Sequence, residues 1–389
     1  MRDLIVGAGI AGPTLAYWLS RAGHDVTVVE QAGGLRSGGY LIDFWGAGFD
    51  VADKMGIVPE LRQRGYVMTE ARAINRNGRR IGGFSPDVIV ESNDRYVSIA
   101  RSDLAAAIYE SITPTVELVL SDSVQHLDDD GSVVHVTFDS GIQRDFDLVF
   151  GADGLHSRIR RLVFGPDSAY ETRLGLIVAA FEADHYPNRD ELVAMMYADV
   201  GFQAVRLSLR SDTTLILFSA RHDGDLPAER DAQQRLLQEK LRDGGWEVPD
   251  MLDAMIRAKD LYFDSVSQIR MPSWTAGRVA LLGDAAACPS FLAGQGSALA
   301  MIEAYILATE LARQPTHSLA YAEYHRQLPT LLRSKQDAAK GLGLAFAPKN
   351  KTELFTRNLA MKVMSLPKVA DLIMGRSFHD AITLPGFPD

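Results

Sequence analysis

Six residues near the N-terminus have the spacing of a phosphate-binding turn. Gly7-Ala8-Gly9-Ile10-Ala11-Gly12 fits G-x-G-x-x-G and lies between an apolar stretch at 3–6 and a helix-like run at 14–22. In such a turn the first glycine permits the bend, the second lets a pyrophosphate approach the backbone, and the third lets the helix pack closely. The N–H groups where the helix begins, at Ile10 and Ala11, can then bind the phosphates.

A carboxylate closes the next predicted strand. Residues 24–30 (HDVTVVE) are rich in β-branched side chains, and Glu30 ends that run, with Gln31 beside it. A carboxylate at this point can accept hydrogen bonds from both ribose hydroxyls of an adenosine, and we count Gln31 with it as a binding residue. The same charge would repel a 2′-phosphate. NADP is therefore disfavoured at this turn, and NAD and FAD remain open.

A second segment with related chemistry lies far along the chain. A strand predicted at 278–282 would deliver Asp284 to the sheet edge where open α/β sheets bind ligands, and its carboxylate could accept a hydrogen bond from a polyol. Gly294-Gln295-Gly296 then leads into a predicted helix that begins at Ser297. Its N-terminal dipole can stabilise the negative charge that a flavin gains on reduction. The plain alternative is a glycine-flanked loop before an ordinary helix.

The elements that must position these residues indicate an α/β fold. The strand–turn–helix–strand unit at 3–30 implies a parallel pair, and further parallel segments are predicted near 145–155 and 278–300, with antiparallel segments between them. We therefore expect a Rossmann-like nucleotide-binding domain with an inserted mixed or antiparallel β-sheet domain and C-terminal helices. The expected boundaries are 1–68, 98–168 and 270–330 for the first, 69–97 and 169–269 for the second, and 331–389 for the helices.

Composition excludes several classes of protein. The chain has 389 residues, 47% of them hydrophobic, and a net charge of −10, which argues against a disordered chain and against a general nucleic-acid binder. Cys288 is the only cysteine, so no intrachain disulfide is possible. The nine histidines are scattered without metal-ligand spacing, and we predict no metal. With no signal peptide or membrane-spanning run recognised, we expect a cytoplasmic enzyme, monomeric or homodimeric, without stable membrane insertion.

The combined motifs resemble those of the class A flavin-dependent aromatic hydroxylases, the para-hydroxybenzoate hydroxylase fold. The resemblance rests on the glycine turn with Glu30, on Asp153-Gly154 in GADGLHSRIRR, and on Gly283-Asp284 with AGQGSALAM. The GGYLID segment is most similar to the tetracycline-inactivating branch. One departure is Ala287, where the common GDAAH has histidine.

This resemblance implies one non-covalently bound FAD and further residues that contact it. Besides the residues above, it adds Arg36, Asp43, Arg101, Asp153 and Pro289 to the predicted binding set, and it makes Asp284 the ribityl ligand. Asp153 belongs to a motif linked to FAD and NADPH handling. It has an equally good structural interpretation, as a cap for a helix that starts at Leu155.

The chemistry implied is that of an FAD-dependent oxidoreductase. NAD(P)H would bind transiently and reduce FAD, and a flavin C4a-hydroperoxide formed with O2 would insert one oxygen atom into an aromatic or polyketide-like small molecule. The flavin carries the chemistry, so no catalytic side chain is predicted. Two alternatives stay open: a flavin reductase of carbon–carbon double bonds on the same fold, and a non-catalytic FAD-binding protein.

The substrate pocket is expected between the FAD domain and the sheet built from residues 170–220. Its apolar and aromatic lining would suit a flat hydrophobic substrate, although residues of these types are more often plain core than ligand contacts. The predicted lining is Met195, Tyr197, Phe202, Arg206 and Phe218 on the sheet, with Phe291 and Leu292 on the flavin side.

Overall fold

The computed structural model describes residues 1–34, 40–85, 95–112, 115–187, 190–209, 212–365 and 382–388. Over these ranges the chain forms strands that alternate with helices in its first third. The strands are β1 (Arg2–Val6), β2 (Asp25–Glu30), β3 (Leu41–Trp45), β4 (Glu70–Ile74), β5 (Arg80–Phe84), β6 (Tyr96–Ala100), β7 (Glu117–Leu120), β8 (Val124–Asp129), β9 (Val134–Phe138), β10 (Gln143–Phe146), β11 (Leu148–Gly151), β12 (Glu171–Asp184), β13 (Val193–Asp199), β14 (Phe202–Ser208), β15 (Thr213–Arg221), β16 (Tyr262–Ile269), β17 (Thr275–Ala276) and β18 (Val279–Leu281).

The helices dominate the last quarter of the chain. They are α1 (Ala11–Arg21), α2 (Ala47–Lys54), α3 (Val58–Arg64), α4 (Arg101–Ile112), α5 (Arg158–Val163), α6 (Arg230–Leu241), α7 (Val248–Arg257), α8 (Asp284–Ala287), α9 (Gly296–Arg313), α10 (His317–Gln327), α11 (Pro329–Gly341), α12 (Gly343–Phe346) and α13 (Lys351–Val363). Among the described residues, none of these helices is both long and apolar enough to cross a bilayer.

A six-stranded sheet carries the glycine turn. Its order is β17-β18-β11-β1-β2-β7, and every pair is parallel except β17 with β18. Parallel strands need crossover connections, and α1 links β1 to β2. The carboxyl ends of β1 and β18 consequently lie at one edge, which brings residues after 6 and after 281 to the same side of the sheet. The predicted parallel pairing and the α/β class are confirmed.

A seven-stranded sheet forms the second layer. Its order is β16-β12-β15-β14-β13-β4-β5, antiparallel except for β13 with β4, so it is mixed as expected. Helices α6 and α7 cover one face, where Leu237, Met251 and Met255 are buried. Because successive side chains alternate between faces, the other face carries a separate set of residues, and the helices after residue 328 pack against part of it.

Several local features complete the fold. Helices α2 and α3 are separated at Gly56, whose φ of 76° does not continue a helix. Strand β6 pairs with β3 in a separate two-stranded sheet and not with β4 or β5. Strands β8 to β10 form a three-stranded antiparallel sheet, whereas β7 joins the parallel one. The domain boundaries stay a prediction.

Candidate cofactor and substrate site

The three glycines of the N-terminal turn have different surroundings. Gly7 has φ of 107°, and a Cβ there would lie 2.5 Å from the carbonyl oxygen of Ala152. A Cβ on Gly12 would lie 2.0 Å from the carbonyl oxygen of Gly7, so the close approach of α1 requires glycine. A Cβ on Gly9 would lie 3.6 Å from Nη2 of Arg101, which is the only heavy atom within 4 Å of it among the described residues other than its chain neighbours. Gly9 therefore leaves open space above the turn, as its predicted role needs.

The two helices that begin near this space are not capped by side chains. Ile10 is the N-cap residue of α1 and Gln295 that of α9, and no side chain in the described ranges accepts from either helix start. The first N–H groups of a helix have no acceptor within it. The N–H groups at Ala11, Gly296 and their neighbours therefore remain available to a ligand.

Glu30 supports the glycine turn directly. Its Oε2 accepts a hydrogen bond from the backbone N–H of Ala8, at 2.8 Å, and its Oε1 accepts from that of Ala32, at 2.9 Å. Gln31 is exposed beside it. A carboxylate has about four acceptor positions, so two backbone donors leave capacity for hydroxyl groups. Glu30 thus has a second, structural role that its position in the sequence does not reveal.

Asp284 lies close to residues from two other segments. Burial raises its pKa, and the nearby Arg101 guanidinium opposes that rise. A Cβ on Gly296 would lie 3.7 Å from Oδ1 of Asp284. Since Arg101 also reaches Gly9, the structure brings together Gly9, Arg101, Asp284 and Gly296. These residues lie far apart in the chain.

The loop between Asp284 and α9 contains the remaining predicted flavin-side residues. Pro289 is followed by a short 3-10 helix from Phe291 to Ala293, and Gly294 is exposed with φ of 64°. Gln295 is buried, and Ser297 is partly exposed in the first turn of α9.

One further predicted contact, Asp43, has local structural partners. Asp43, on β3, accepts hydrogen bonds from Tyr96 Oη at 2.7 Å and from the hydroxyl of Ser98. These two hydrogen bonds join β3 to β6. Asp43 is exposed, so its carboxylate can still be reached. Arg36 lies outside the described residues.

Asp153 acts as a helix cap. Its carboxylate accepts from the backbone N–H groups of Arg158, at 2.7 Å, and Ile159, at 3.1 Å, and from the hydroxyl of Ser157. Burial raises its pKa, and these hydrogen bonds oppose the rise. The helix begins at Arg158, three residues later than predicted. The contact of Asp153 with a cofactor stays a prediction.

Five residues were predicted to line the pocket from the side of the sheet. They lie on the face that packs against helices α6 and α7, away from the cleft. The core between the sheet and helices α6 and α7 contains Met195, Tyr197, Phe202 and Phe218. Arg206 is 2% exposed, forms an ion pair with Glu247 at 3.0 Å and lies over the ring of Trp246. This part of the prediction is corrected: the structure assigns these five residues to a packed interior and not to a cleft.

The opposite face of the same strands borders the site. Met196, Val205 and Leu217 are cross-strand neighbours, each partly exposed, and Leu217 packs in the same cluster as Tyr262 and Phe291. Leu292 is buried in that cluster. Phe291 is partly exposed beside this face, whereas Leu292 is core, and a contact of Phe291 with a substrate stays a prediction.

Two aromatic residues of the cleft were missed by sequence reasoning. The ring centroid of Tyr40 lies 5.1 Å from that of Phe291 and 5.5 Å from that of Tyr262. Burial raises the pKa of Tyr40, and Arg101 opposes the rise. Tyr40 stands in the GGYLID segment and could have been found there, but Tyr262 follows no motif. An aromatic wall thus adjoins the charged group around Arg101 and Asp284.

A separate cavity of about 780 Å³ lies beside the loop after Asp153. Acidic side chains outnumber basic ones in its lining, which disfavours an anionic dinucleotide. The charged and titratable lining residues are Asp167, Glu171, Asp225 and Asp264 with His156 and Arg173.

Comparison with known proteins agrees with this geometry. The family described as "FAD binding domain" matches residues 2–318. A flavin-dependent monooxygenase of Legionella longbeachae is 30% identical over all of this chain and 98% of that protein. The uncharacterised protein Rv1260 of Mycobacterium tuberculosis is 38% identical over 84% of this chain and 90% of its own length.

Solved structures show the same likeness over the whole chain. The tetracycline destructase Tet(55) superposes with a TM-score of 0.84 at 30% identity, covering 99% of this chain and 98% of its own. Klebsiella pneumoniae HpxO, solved with FAD and uric acid, has a TM-score of 0.82 at 20% identity, over 98% and 97% of the two chains, which shows a shared fold. The chain therefore belongs to the FAD-binding-domain family and, within it, to the class A flavin-dependent monooxygenases.

Proposed function

We propose that this protein uses NAD(P)H and O2 to insert one oxygen atom into an aromatic or polyketide-like small molecule, with FAD as its bound cofactor. The observation that carries the proposal is the convergence of Gly9, Arg101, Asp284 and Gly296 beside an aromatic cleft. The alternative reductase has no specific observation in its favour.

The residues present fit an FAD molecule that spans the carboxyl edge of the parallel sheet. Gly9 offers space for a pyrophosphate, the N–H groups at the start of α1 offer donors for it, and Glu30 has free acceptor positions for the ribose. Asp284 would accept from the ribityl chain. When bound, FAD would supply the electron transfer from NAD(P)H and the activation of O2.

The chain itself supplies electrostatics and exclusion of water. The uncapped start of α9 presents N–H groups and a positive dipole end, which stabilise negative charge on a reduced ring. Arg101 adds a full positive charge beside Asp284. Tyr40, Tyr262 and Phe291 border the cleft with apolar ring surface, which keeps water from the reacting atoms. No side chain is assigned as a nucleophile or general base.

The cleft and one relative support the proposed substrate class. Met196, Val205 and Leu217 give one face of the sheet an apolar surface. Tyr262 lies on the same face, because it and Leu217 both pair with Ala180, and Tyr40 packs on Tyr262 and Phe291. A broad, thin, hydrophobic ring system fits such a space. The solved relative Tet(55) is a tetracycline destructase, which supports a fused-ring, polyketide-like substrate.

Labelled oxygen tests the proposal. FAD-loaded protein is mixed with NADPH or NADH, ¹⁸O2 and a panel of phenols and fused-ring polyketides, and the products are analysed by mass spectrometry. We expect one ¹⁸O atom in the product of at least one panel member, with the matching oxidation of nicotinamide. A product heavier by two hydrogens without label would indicate the double-bond reductase instead. Absence of nicotinamide oxidation across the panel would indicate a non-catalytic flavoprotein.

A further inference from the structure

The outward face of α13 exposes two large apolar side chains. Phe355 is 69% exposed and Leu359 is 49% exposed, and the two stand four residues apart, on the same side of the helix. Among the large hydrophobic side chains that the structure describes, Phe355 is the most exposed. A single exposed apolar residue is ordinary, but a neighbouring pair on one helix face indicates a surface that a partner covers.

Two lysines extend this pair into a stripe. Lys351 precedes Phe355 by four residues, and Lys362 follows Leu359 by three. At 3.6 residues per turn, all four side chains lie on one face of α13, and we call them the α13 stripe. Both lysines are exposed, and neither forms an ion pair with a carboxylate of the described residues. Glu353, the only acidic residue of the helix, lies on nearly the opposite side, so the stripe is cationic and apolar.

The opposite side of α13 fixes the direction of the stripe. Arg357 is 4% exposed and donates to the carbonyl oxygen of Ala345 at 3.0 Å and to Oε1 of Gln203, on β14, at 2.6 Å. The helix also packs closely on β5, where a Cβ on Gly82 would lie 2.3 Å from the carbonyl oxygen of Met361. This side of the helix is anchored, and the stripe therefore faces away from the protein.

The chemistry of the stripe identifies the partner. Two cations beside an apolar pair complement a surface that is anionic outside and apolar beneath, and a membrane with acidic lipids is such a surface. A helix that lies in this interface places its apolar side chains at the boundary of headgroups and acyl chains, while its lysine ammonium groups reach the lipid phosphates. A second copy of the chain fits less well, because a two-fold contact along the stripe would bring lysines against lysines.

We propose that the α13 stripe docks this protein on anionic lipid surfaces. Its two apolar side chains enter the boundary between headgroups and acyl chains, and its two lysines bind lipid phosphates. The contact is peripheral and needs no membrane-spanning segment. This inference does not rest on the proposed function.

Vesicle flotation tests the proposal. The full chain, incubated with FAD, is mixed with vesicles of phosphatidylcholine alone or of phosphatidylcholine and phosphatidylglycerol in equal parts, and the bound fraction is measured across lipid concentrations. We expect much stronger binding to the mixed vesicles, and we expect it to weaken as salt is raised, because salt screens the lysine charges.

Three variants separate the contributions. Phe355→Ser combined with Leu359→Ser should weaken binding to the mixed vesicles by about tenfold or more, because the apolar area that enters the lipid is lost. Lys351→Gln combined with Lys362→Gln should also weaken it by about tenfold or more. Leu319→Ser is the matched control, since Leu319 of α10 is 50% exposed, and this variant should bind like the parent.

Thermal melting of each variant should match that of the parent, because the substituted side chains are exposed, so a loss of binding reports on the surface and not on folding. A parent that does not bind the mixed vesicles would overturn the inference, as would equal binding by the parent and the Phe355→Ser, Leu359→Ser variant. Light scattering that shows a dimeric parent and a monomeric Phe355→Ser, Leu359→Ser variant would assign the stripe to a second copy and would also overturn it. Loss of vesicle binding without loss of FAD leaves the proposed function untouched.

Discussion

Nη2 of Arg101 lies 3.6 Å from the point where a Cβ on Gly9 would stand. The backbone N–H of the same arginine donates to the carbonyl oxygen of Tyr40 at 3.2 Å. One residue at the start of α4 thus contacts the glycine turn through its side chain and the aromatic cleft through its backbone. This links the adenine-side and ring-side parts of the proposed FAD site.

Gly9→Ala should separate cofactor binding from folding. The added methyl group makes only an ordinary contact with Arg101, so apoprotein melting should change little, but it occupies the space proposed for the pyrophosphate. We expect FAD affinity to fall by about tenfold or more, roughly the 1.4 kcal/mol that such a factor represents. Calorimetric titration of apoprotein with FAD measures it.

Gly12→Ala is the matched control for that variant. Its Cβ would stand 2.0 Å from the carbonyl oxygen of Gly7, and backbone cannot yield as a side chain can. We expect a strongly reduced yield of folded protein. Unaltered FAD binding in Gly9→Ala would contradict the assigned path of the pyrophosphate.

Glu30→Ala should weaken FAD binding by about 1.5–3 kcal/mol, the range of a hydrogen bond to a charged group. It should also loosen the turn, because the acceptor for the Ala8 and Ala32 N–H groups is lost. Glu30→Gln keeps one acceptor oxygen and the size of the side chain. The melting temperature of this variant should therefore lie closer to that of the parent than the melting temperature of Glu30→Ala does. Equal FAD affinity in all three proteins would argue against the ribose contact. Fluorescence titration and apoprotein melting give both quantities.

Glu303 should make stability depend on pH. Burial raises its pKa from 4.5 to about 8, although it accepts from the Gly283 N–H at 2.8 Å. Between these values the unfolded chain releases a proton that the folded chain retains, so stability falls as pH rises from about 4.5 to about 8. Glu303→Gln removes this contribution.

We therefore expect the Glu303→Gln variant to gain in melting temperature over the parent as pH rises through this window. Thermal unfolding of both apoproteins at several pH values between about 4.5 and about 8 measures the difference. A melting difference that stays constant with pH would show that Glu303 is already ionised.

Leu217 and Phe218 are adjacent in the chain and should respond differently to alanine. Phe218 is fully buried against the helices, so Phe218→Ala should lower the free energy of unfolding by about 3–5 kcal/mol. Leu217 is partly exposed at the cleft, so Leu217→Ala should cost less stability and change the relative product yields across the substrate panel. An unchanged ranking of panel members would remove this face from the substrate site.

The sequence was informative where backbone geometry imposes residue types. The glycine turn, Glu30 and Asp284 could be predicted because their spacing follows from a strand, a tight bend and a helix start. The face of the sheet to which each side chain points could not be predicted. Strands β13 to β15 are largely buried on both sides, so their apolar residues show no alternation that would separate the two faces. Met195 and Met196 look equivalent in the sequence but lie on opposite sides of the sheet. The sequence allowed capping as one of two interpretations of Asp153, but the helix that it caps begins later than expected.

The two-sided sheet also bears on how such a protein can diversify. Phe218, Tyr197 and their neighbours maintain the fold from one side, while Leu217, Val205 and Met196 form a surface on the other. Changes confined to the second set alter the shape of the cleft at little structural cost. A lineage with this architecture can therefore acquire new substrates through a few exchanges at every second position of three strands.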